Sequence, residues 1–239
     1  MNVVLFDPGE PTTRLDGARA AHVLDVLGLG VGARFRIGVI DGPLGTAEIL
    51  SIEERVLSLA CTLEDAIPEA PPIDLILALP RPKVLARLLS PIAQLGVRRL
   101  ILTGAWKVER FYFDAHVLSE AEHRPKLVEG LAQAKDTRLP IVSIHRSIAF
   151  LLDHELDAMV PDAARRVVVD PSAEPPIERV IEGATSLILA IGPEGGLTGR
   201  ELAHLADRGF HAGSLGSRVL RSDVATITAL ARAHATIAR

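Results

Sequence analysis

Before residue 66 the apolar positions fall in short runs, at 3–6, 34–40, 46–50 and 56–63, separated by turns such as Asp41-Gly42 and Leu44-Gly45. Runs of this kind predict strands, and about 70 residues of them predict a small barrel. From residue 73 onward the pattern alternates. Apolar β-rich runs at 73–79, 99–102, 140–144, 166–169, 186–191 and 211–215 predict strands. Helical spacing at 83–95, about 114–135 and about 222–237 predicts helices. Such alternation predicts an α/β domain on a parallel sheet. Between the two regimes lies Ala66-Ile-Pro-Glu-Ala-Pro-Pro72, too stiff for a helix and too gapped for a strand. The expected division is therefore 1–68 and 73–239.

Two glycine-bearing segments carry the candidate chemistry. The first runs Ser186-Leu-Ile-Leu-Ala-Ile191, then Gly192-Pro-Glu-Gly-Gly196, then Leu197-Thr-Gly-Arg-Glu201. The second runs Ser214-Leu-Gly-Ser-Arg-Val-Leu-Arg221. A buried strand opening onto a glycine turn suits a ligand site at the carboxyl end of a parallel sheet. Thr198 and Glu201 have the spacing of a capping box, so a helix is expected to start near 197–198. The turn lacks G-x-G-x-x-G, and no Lys-Ser/Thr follows, which excludes dinucleotide and P-loop readings. Glycine lets backbone N–H and C=O groups approach a flat ligand edge.

Composition narrows the partners. With 239 residues, 48% hydrophobic, the chain can bury an ample core. A single cysteine suits a reducing cytoplasm and excludes a disulfide framework. No metal is expected, because the eight histidines show no ligand spacing. No apolar run reaches a membrane span, and acid follows Met1 too early for a signal peptide. A formal charge of −4 and 3% aromatics require any RNA footprint to be local rather than a broad stacking platform.

Together the two segments resemble the signature of the RsmE-type branch of the SPOUT RNA methyltransferases. That family carries I-G-P-E-G-G at a strand end and L-G-x-R-I-L-R-x-E-T-A before the last helix. Here the second motif stands as Leu215-Gly-Ser-Arg-Val-Leu-Arg-Ser-Asp-Val-Ala225. Weaker likeness extends to Arg14, to His22-Val-Leu24 and to Leu95-Gly-Val97. The resemblance implies a SPOUT-type α/β domain with a carboxy-terminal trefoil knot, preceded by a PUA-like RNA-binding barrel. It implies S-adenosylmethionine as methyl donor, a homodimer, and ribosomal RNA or the small ribosomal subunit as partner in the cytoplasm. The activity it implies is methylation of N3 of a uridine in 16S ribosomal RNA.

Under that resemblance the donor is held by Ile191, Gly192, Pro193, Glu194, Gly195 and Gly196, and by Leu215, Gly216, Arg218, Val219 and Leu220. Val169 and Asp170, at an earlier strand end, join them. Arg218 also stands as a contact to RNA phosphate or the target nucleotide. Uracil N3 must lose its proton, which calls for a base or for a cation on the developing negative charge. Arg221 takes the second role or else pairs with Asp223. Asp223 is either the base or the group that orients Arg221. Arg14, Arg19, His22, Arg34, Arg36, Arg81 and Lys83 are the candidate RNA contacts, while Arg98-Arg99 and Arg165-Arg166 read as loop charges. Departures from the family pattern fall at Asp223-Val224, where Glu-Thr is usual, at Pro91 and Gln94, and at Ala132 and Asp136. They thin the polar surface near the target base and leave the donor pocket largely intact. A non-catalytic ribosome-assembly factor, a SPOUT protein with another RNA target, and an unrelated α/β nucleotide-binding enzyme are the competing readings.

Overall fold

The computed structural model describes residues 3–161 and 163–237. It separates into two compact units, Met1–Ala70 with Val128–Leu139, and Pro71–Leu127 with Pro140–Arg239. The division at 70/71 falls within the proline segment. The expected contiguous second domain differs in one respect, because 128–139 packs with the first unit. The reason is a set of backbone and side-chain bonds. Asp41 N–H donates to the Thr137 carbonyl at 2.8 Å, and the buried Thr137 hydroxyl donates to Gly42 O at 2.6 Å.

The first unit holds a five-stranded sheet in the order β1-β3-β4-β5-β2. Its strands are β1 (Val4–Phe6), β2 (Arg14–Leu15), β3 (Arg34–Val39), β4 (Leu44–Glu53) and β5 (Val56–Leu63). Between β2 and β3 a short helix α1 (Gly17–Ala21) widens into a π-type turn, His22–Val26, which the sequence reading leaves unassigned. Phe6, Leu15, Ile37, Ile49 and Leu57 are fully buried in this unit's core. The strand expected to end at Leu50 continues to Glu53. A bulge between Ile49 and Ser51 leaves Leu50 exposed and resets the alternation that marked the strand.

The second unit is built on a six-stranded parallel sheet in the order β11-β9-β10-β6-β7-β8. The strands are β6 (Ile73–Ala78), β7 (Arg99–Thr103), β8 (Ile141–His145), β9 (Arg165–Val169), β10 (Leu187–Ile191) and β11 (His211–Gly213). Every residue of β6 and β10 is buried, which is why both read as continuous apolar runs. Helix α2 (Pro82–Leu95) buries Leu85, Leu88, Leu89 and Ile92 at helical spacing and ends at Gly96, whose φ of 82° is a left-handed cap. The expected helix from 114 is replaced at its start by 3-10 turns, Arg110–Asp114 and His116–Leu118, because Ala115 and Ser119 are extended. Helix α3 then spans Glu120–Ala134.

Three further helical segments escape the sequence reading. These are α4 (Ile148–Phe150), which runs through a wide turn (Leu151–Glu155) into α5 (Leu156–Met159), and α6 (Ile177–Ile181). Helix α7 (Gly199–Asp207) follows the first glycine turn and α8 (Ser222–Thr236) follows the second. Ala225, Thr226, Ala229, Leu230 and Ala233 form the buried face of α8. The pair read as loop charges, Arg98 and Arg99, instead clamps Asp74. That carboxylate is fully buried on β6, and Arg98 Nε donates to it at 3.0 Å. Arg99 lies within β7 itself. No helix among the described residues is long and apolar enough to cross a membrane.

Candidate active site

The site forms where β9 and β10 end and α7 and α8 begin. Thr198 caps α7 as its spacing predicts. The Glu201 N–H donates to Thr198 Oγ1, and Glu201 Oε2 accepts from both the Thr198 N–H and its hydroxyl, each at 2.7 Å. The turn before it is closed by the Gly196 N–H on the Pro193 carbonyl at 2.8 Å, with Gly196 at φ 71°. Glu194 reaches back from the turn and accepts from the Arg81 N–H at 3.2 Å, so its carboxylate fastens the turn to the chain just before α2.

These elements enclose a cavity of about 300 Å³, at the small end of the roughly 300–1,000 Å³ typical of small-molecule sites. Of the expected donor contacts, Val169, Asp170, Ile191, Gly192, Pro193, Glu194, Gly195, Gly196, Val219 and Leu220 line it. Leu215, Gly216 and Arg218 do not; Gly216 and Arg218 are exposed on the bend before it. Leu197, Leu202, Ser222 and Ala225 complete the walls and were not anticipated. Asp170 Oδ1 accepts from the Ser172 N–H at 2.9 Å, which shapes the loop after β9.

The loop after β7 braces the first glycine turn and the start of α7. The Lys107 ammonium donates to the Gly195 carbonyl at 2.6 Å, and the Trp106 N–H donates to Glu201 Oε1 at 2.8 Å. Burial pushes the Glu201 carboxyl upward. The N–H groups of Thr198 and Trp106, the Thr198 hydroxyl and the Lys107 charge outweigh it, and the pKa lies below the ordinary 4.5. Glu201 thus ties the capping box to the β7 loop through one ionised group. Both residues of that loop lie beyond a parallel strand's carboxyl end, the signal that could have found them.

Beside the cavity, Arg221 is exposed and donates from Nη2 to Asp223 Oδ2 at 3.2 Å. Asp223 Oδ1 accepts from the Val224 N–H, and Arg87 stands 4.0 Å from Oδ2. The expected RNA contacts are dispersed and mostly engaged. Arg14 pairs with Asp16, Arg34 with Glu48 and Arg36 with Glu64. Arg19 forks onto Glu10 and lies over the Phe6 ring, while His22 is half-buried in its turn. Arg81 and Lys83 open α2 in the other unit. Among the described residues no group of His, Cys, Asp or Glu side chains is placed to hold a metal ion.

The model of the RNA methyltransferase domain family matches residues 68–234. The chain belongs to that family. It is 29% identical to ribosomal RNA small subunit methyltransferase E of Treponema pallidum, over 98% of this chain and 92% of the relative. The protein of the same name in Mycobacterium bovis is 28% identical over 90% of this chain and 83% of its own. Among solved structures, a probable rRNA methyltransferase from Porphyromonas gingivalis superposes with a TM-score of 0.79 at 20% identity, covering 98% of both chains. Ribosomal RNA small subunit methyltransferase E of Neisseria gonorrhoeae, bound to S-adenosylmethionine, gives 0.76 at 19% identity over 96% and 95%. These likenesses establish the α/β fold of this family member across nearly its whole length.

Proposed function

We propose that this family member is an S-adenosylmethionine-dependent methyltransferase of the RsmE type, acting on N3 of a uridine in small-subunit ribosomal RNA. The observation that carries it is the cavity itself. Two glycine-bearing bends far apart in composition meet there, one presenting main chain at Gly192, Gly195 and Gly196, the other presenting apolar Val219 and Leu220. Main-chain edges beside aliphatic walls suit an adenosyl group. Bound there, the donor supplies an electrophilic methyl on a sulfonium.

The chain's own residues supply the rest. In this reading Arg221, always charged and forked, holds the negative charge that appears on the uracil carbonyl oxygens as N3 loses its proton. Asp223 has both oxygens engaged, which favours the orienting role over the base. The knot reading is supported by the clasp around the second bend. Ser214 N–H donates to the Pro175 carbonyl and Ile177 N–H to the Ser214 carbonyl, so the chain ahead of α8 is held against the loop ahead of α6. The five-stranded sheet of the first unit with its own core is what a PUA-like barrel requires.

A homodimer is supported by apolar surface at the cavity mouth. Val219, a cavity wall, is 83% exposed, and Val224 and Ile227 on the first turns of α8 are 45% and 41% exposed. A second copy would cover them. The cytoplasm is the compartment that a ribosomal RNA substrate requires.

Calorimetric titration with S-adenosylmethionine tests the donor site, and the absence of measurable heat with folded protein would end the reading. Mass spectrometry of ribosomal RNA from a deletion strain tests the target. Loss of an N3-methyluridine is expected. An unchanged modification profile would favour an assembly factor.

A further inference from the structure

Glu201 also lines a second, larger groove of about 990 Å³ that shares no lining residue with the donor cavity. Trp106, Arg110, Arg146 and Arg200 project from its walls, and it continues into a hollow of about 300 Å³ that shares Trp106, Arg110 and Arg146. Its floor is backbone. Gly104 N–H donates to the His145 carbonyl, Ile148 N–H donates to the Gly104 carbonyl, and a Cβ on Gly104 would stand 2.3 Å from the Arg146 carbonyl oxygen. The loops after β7 and β8 are thereby pressed together so that their side chains face outward.

Two properties converge on this groove. Trp106, the only tryptophan of the chain, is 84% exposed although its backbone is held by Glu201. Among the described residues Arg110, Arg146 and Arg200 have no carboxylate partner, whereas Arg14, Arg19, Arg34, Arg36, Arg55, Arg87, Arg98, Arg99, Arg166, Arg208, Arg221 and Arg232 each stand within ion-pair reach of one. Arg146 lies over the Phe113 ring at 5.3 Å, which fixes its guanidinium without neutralising it. The one carboxylate in the groove, Glu201, spends both oxygens on Trp106 and Thr198.

An exposed aromatic face beside uncompensated guanidiniums recognises unpaired nucleic acid. The aromatic ring takes a base by stacking and the cations take phosphates. We propose that this groove is a second RNA contact, which holds an unpaired nucleotide of the substrate strand with its base on Trp106 and its phosphates on Arg110, Arg146 and Arg200. The inference rests on the RNA methyltransferase reading and places an RNA contact on the second unit. It also gives a chain of net charge −4 a local cationic surface, with three arginines beside one exposed aromatic face.

The single tryptophan is a built-in reporter. A short single-stranded oligouridylate, titrated without donor, is expected to change its emission, while a blunt RNA duplex is not. Trp106→Ala keeps the backbone bond to Glu201 and should weaken binding of the labelled oligonucleotide, read by anisotropy, roughly 5- to 100-fold. Each of Arg110→Ala, Arg146→Ala and Arg200→Ala should lower the slope of log affinity against log salt by about 0.7. Arg179→Ala, an unpaired arginine outside the groove, should leave that slope unchanged. Saturating binding with silent tryptophan emission, or salt slopes in the groove variants equal to wild type, would overturn the proposal. Emission and salt slopes are read without methyl transfer. A wild-type protein that binds oligonucleotide through Trp106 and yet takes no donor would refute the methyltransferase reading and leave the groove standing.

Discussion

Replacing Glu201 by alanine removes three hydrogen bonds to one carboxylate, two from Thr198 and one from the Trp106 N–H. Bonds to a charged group contribute about 1.5–3 kcal/mol each. Simple addition overstates the loss, because Trp106 N–H sits on an exposed loop where water replaces the carboxylate. The two half-buried bonds from Thr198, which are the carboxylate's share of the capping box, together contribute about 2 kcal/mol. For a chain of this size that lowers the thermal midpoint by about 4–8 °C. Glu201→Gln retains one acceptor oxygen for Thr198 and should cost about half as much.

The pH dependence separates charge from shape. The folded Glu201 pKa lies below the ordinary 4.5, so its contribution is fully present above 4.5 and is lost as pH falls through the lowered folded value. The advantage of wild type over Glu201→Gln in calorimetric or urea unfolding should therefore be constant from neutral pH down to about 4.5 and shrink in more acid solution. A Glu201→Ala midpoint equal to wild type, or a wild-type advantage that grows on acidification, would refute the assigned role.

Other variants probe the remaining parts. Gly195→Val sets a Cβ 2.9 Å from Lys107 Cδ and so displaces the turn that lines the cavity. Donor affinity measured by calorimetry should fall at least about tenfold, and normal affinity would remove Gly195 from the donor site. Arg221→Ala should cut single-turnover methyl transfer about 10²–10³-fold with donor affinity within about threefold of wild type; full activity would end its catalytic assignment. Arg98→Ala strips the better partner from the fully buried Asp74 and should cost about 3–5 kcal/mol in urea unfolding, whereas a cost under about 1 kcal/mol would mean Arg99 alone suffices.

Strong periodicity made the parallel sheet legible. The central strands β6 and β10 are buried on both faces and so read as unbroken apolar runs. The capping box of α7 was legible for the same reason, since two residues at fixed spacing serve each other locally. The segment 148–159 was not assigned although Ile148, Leu151, Leu152 and Leu156 are buried at helical spacing. Its two short helices are separated by a wide turn carrying Asp153, His154 and Glu155. At the site, chain-local motifs located the two bends, but the loop that braces the first of them, Trp106 with Lys107, is joined to that region by bonds that span 95 and 88 positions. Partnering of charges was equally hidden. Nothing next to Arg98 in the sequence announces that its carboxylate lies 24 residues away inside a strand.

The return of 128–139 to the first unit bears on how the protein matures. Because that stretch is seated through Thr137 against the Asp41-Gly42 turn, the first unit cannot finish assembling when the seventieth residue leaves the ribosome. Synthesis must advance roughly twice as far, past β6 and β7, before that unit is complete. A fragment cut at the proline segment would carry an open seam where Thr137 belongs, and the gene cannot be divided there into two self-sufficient halves.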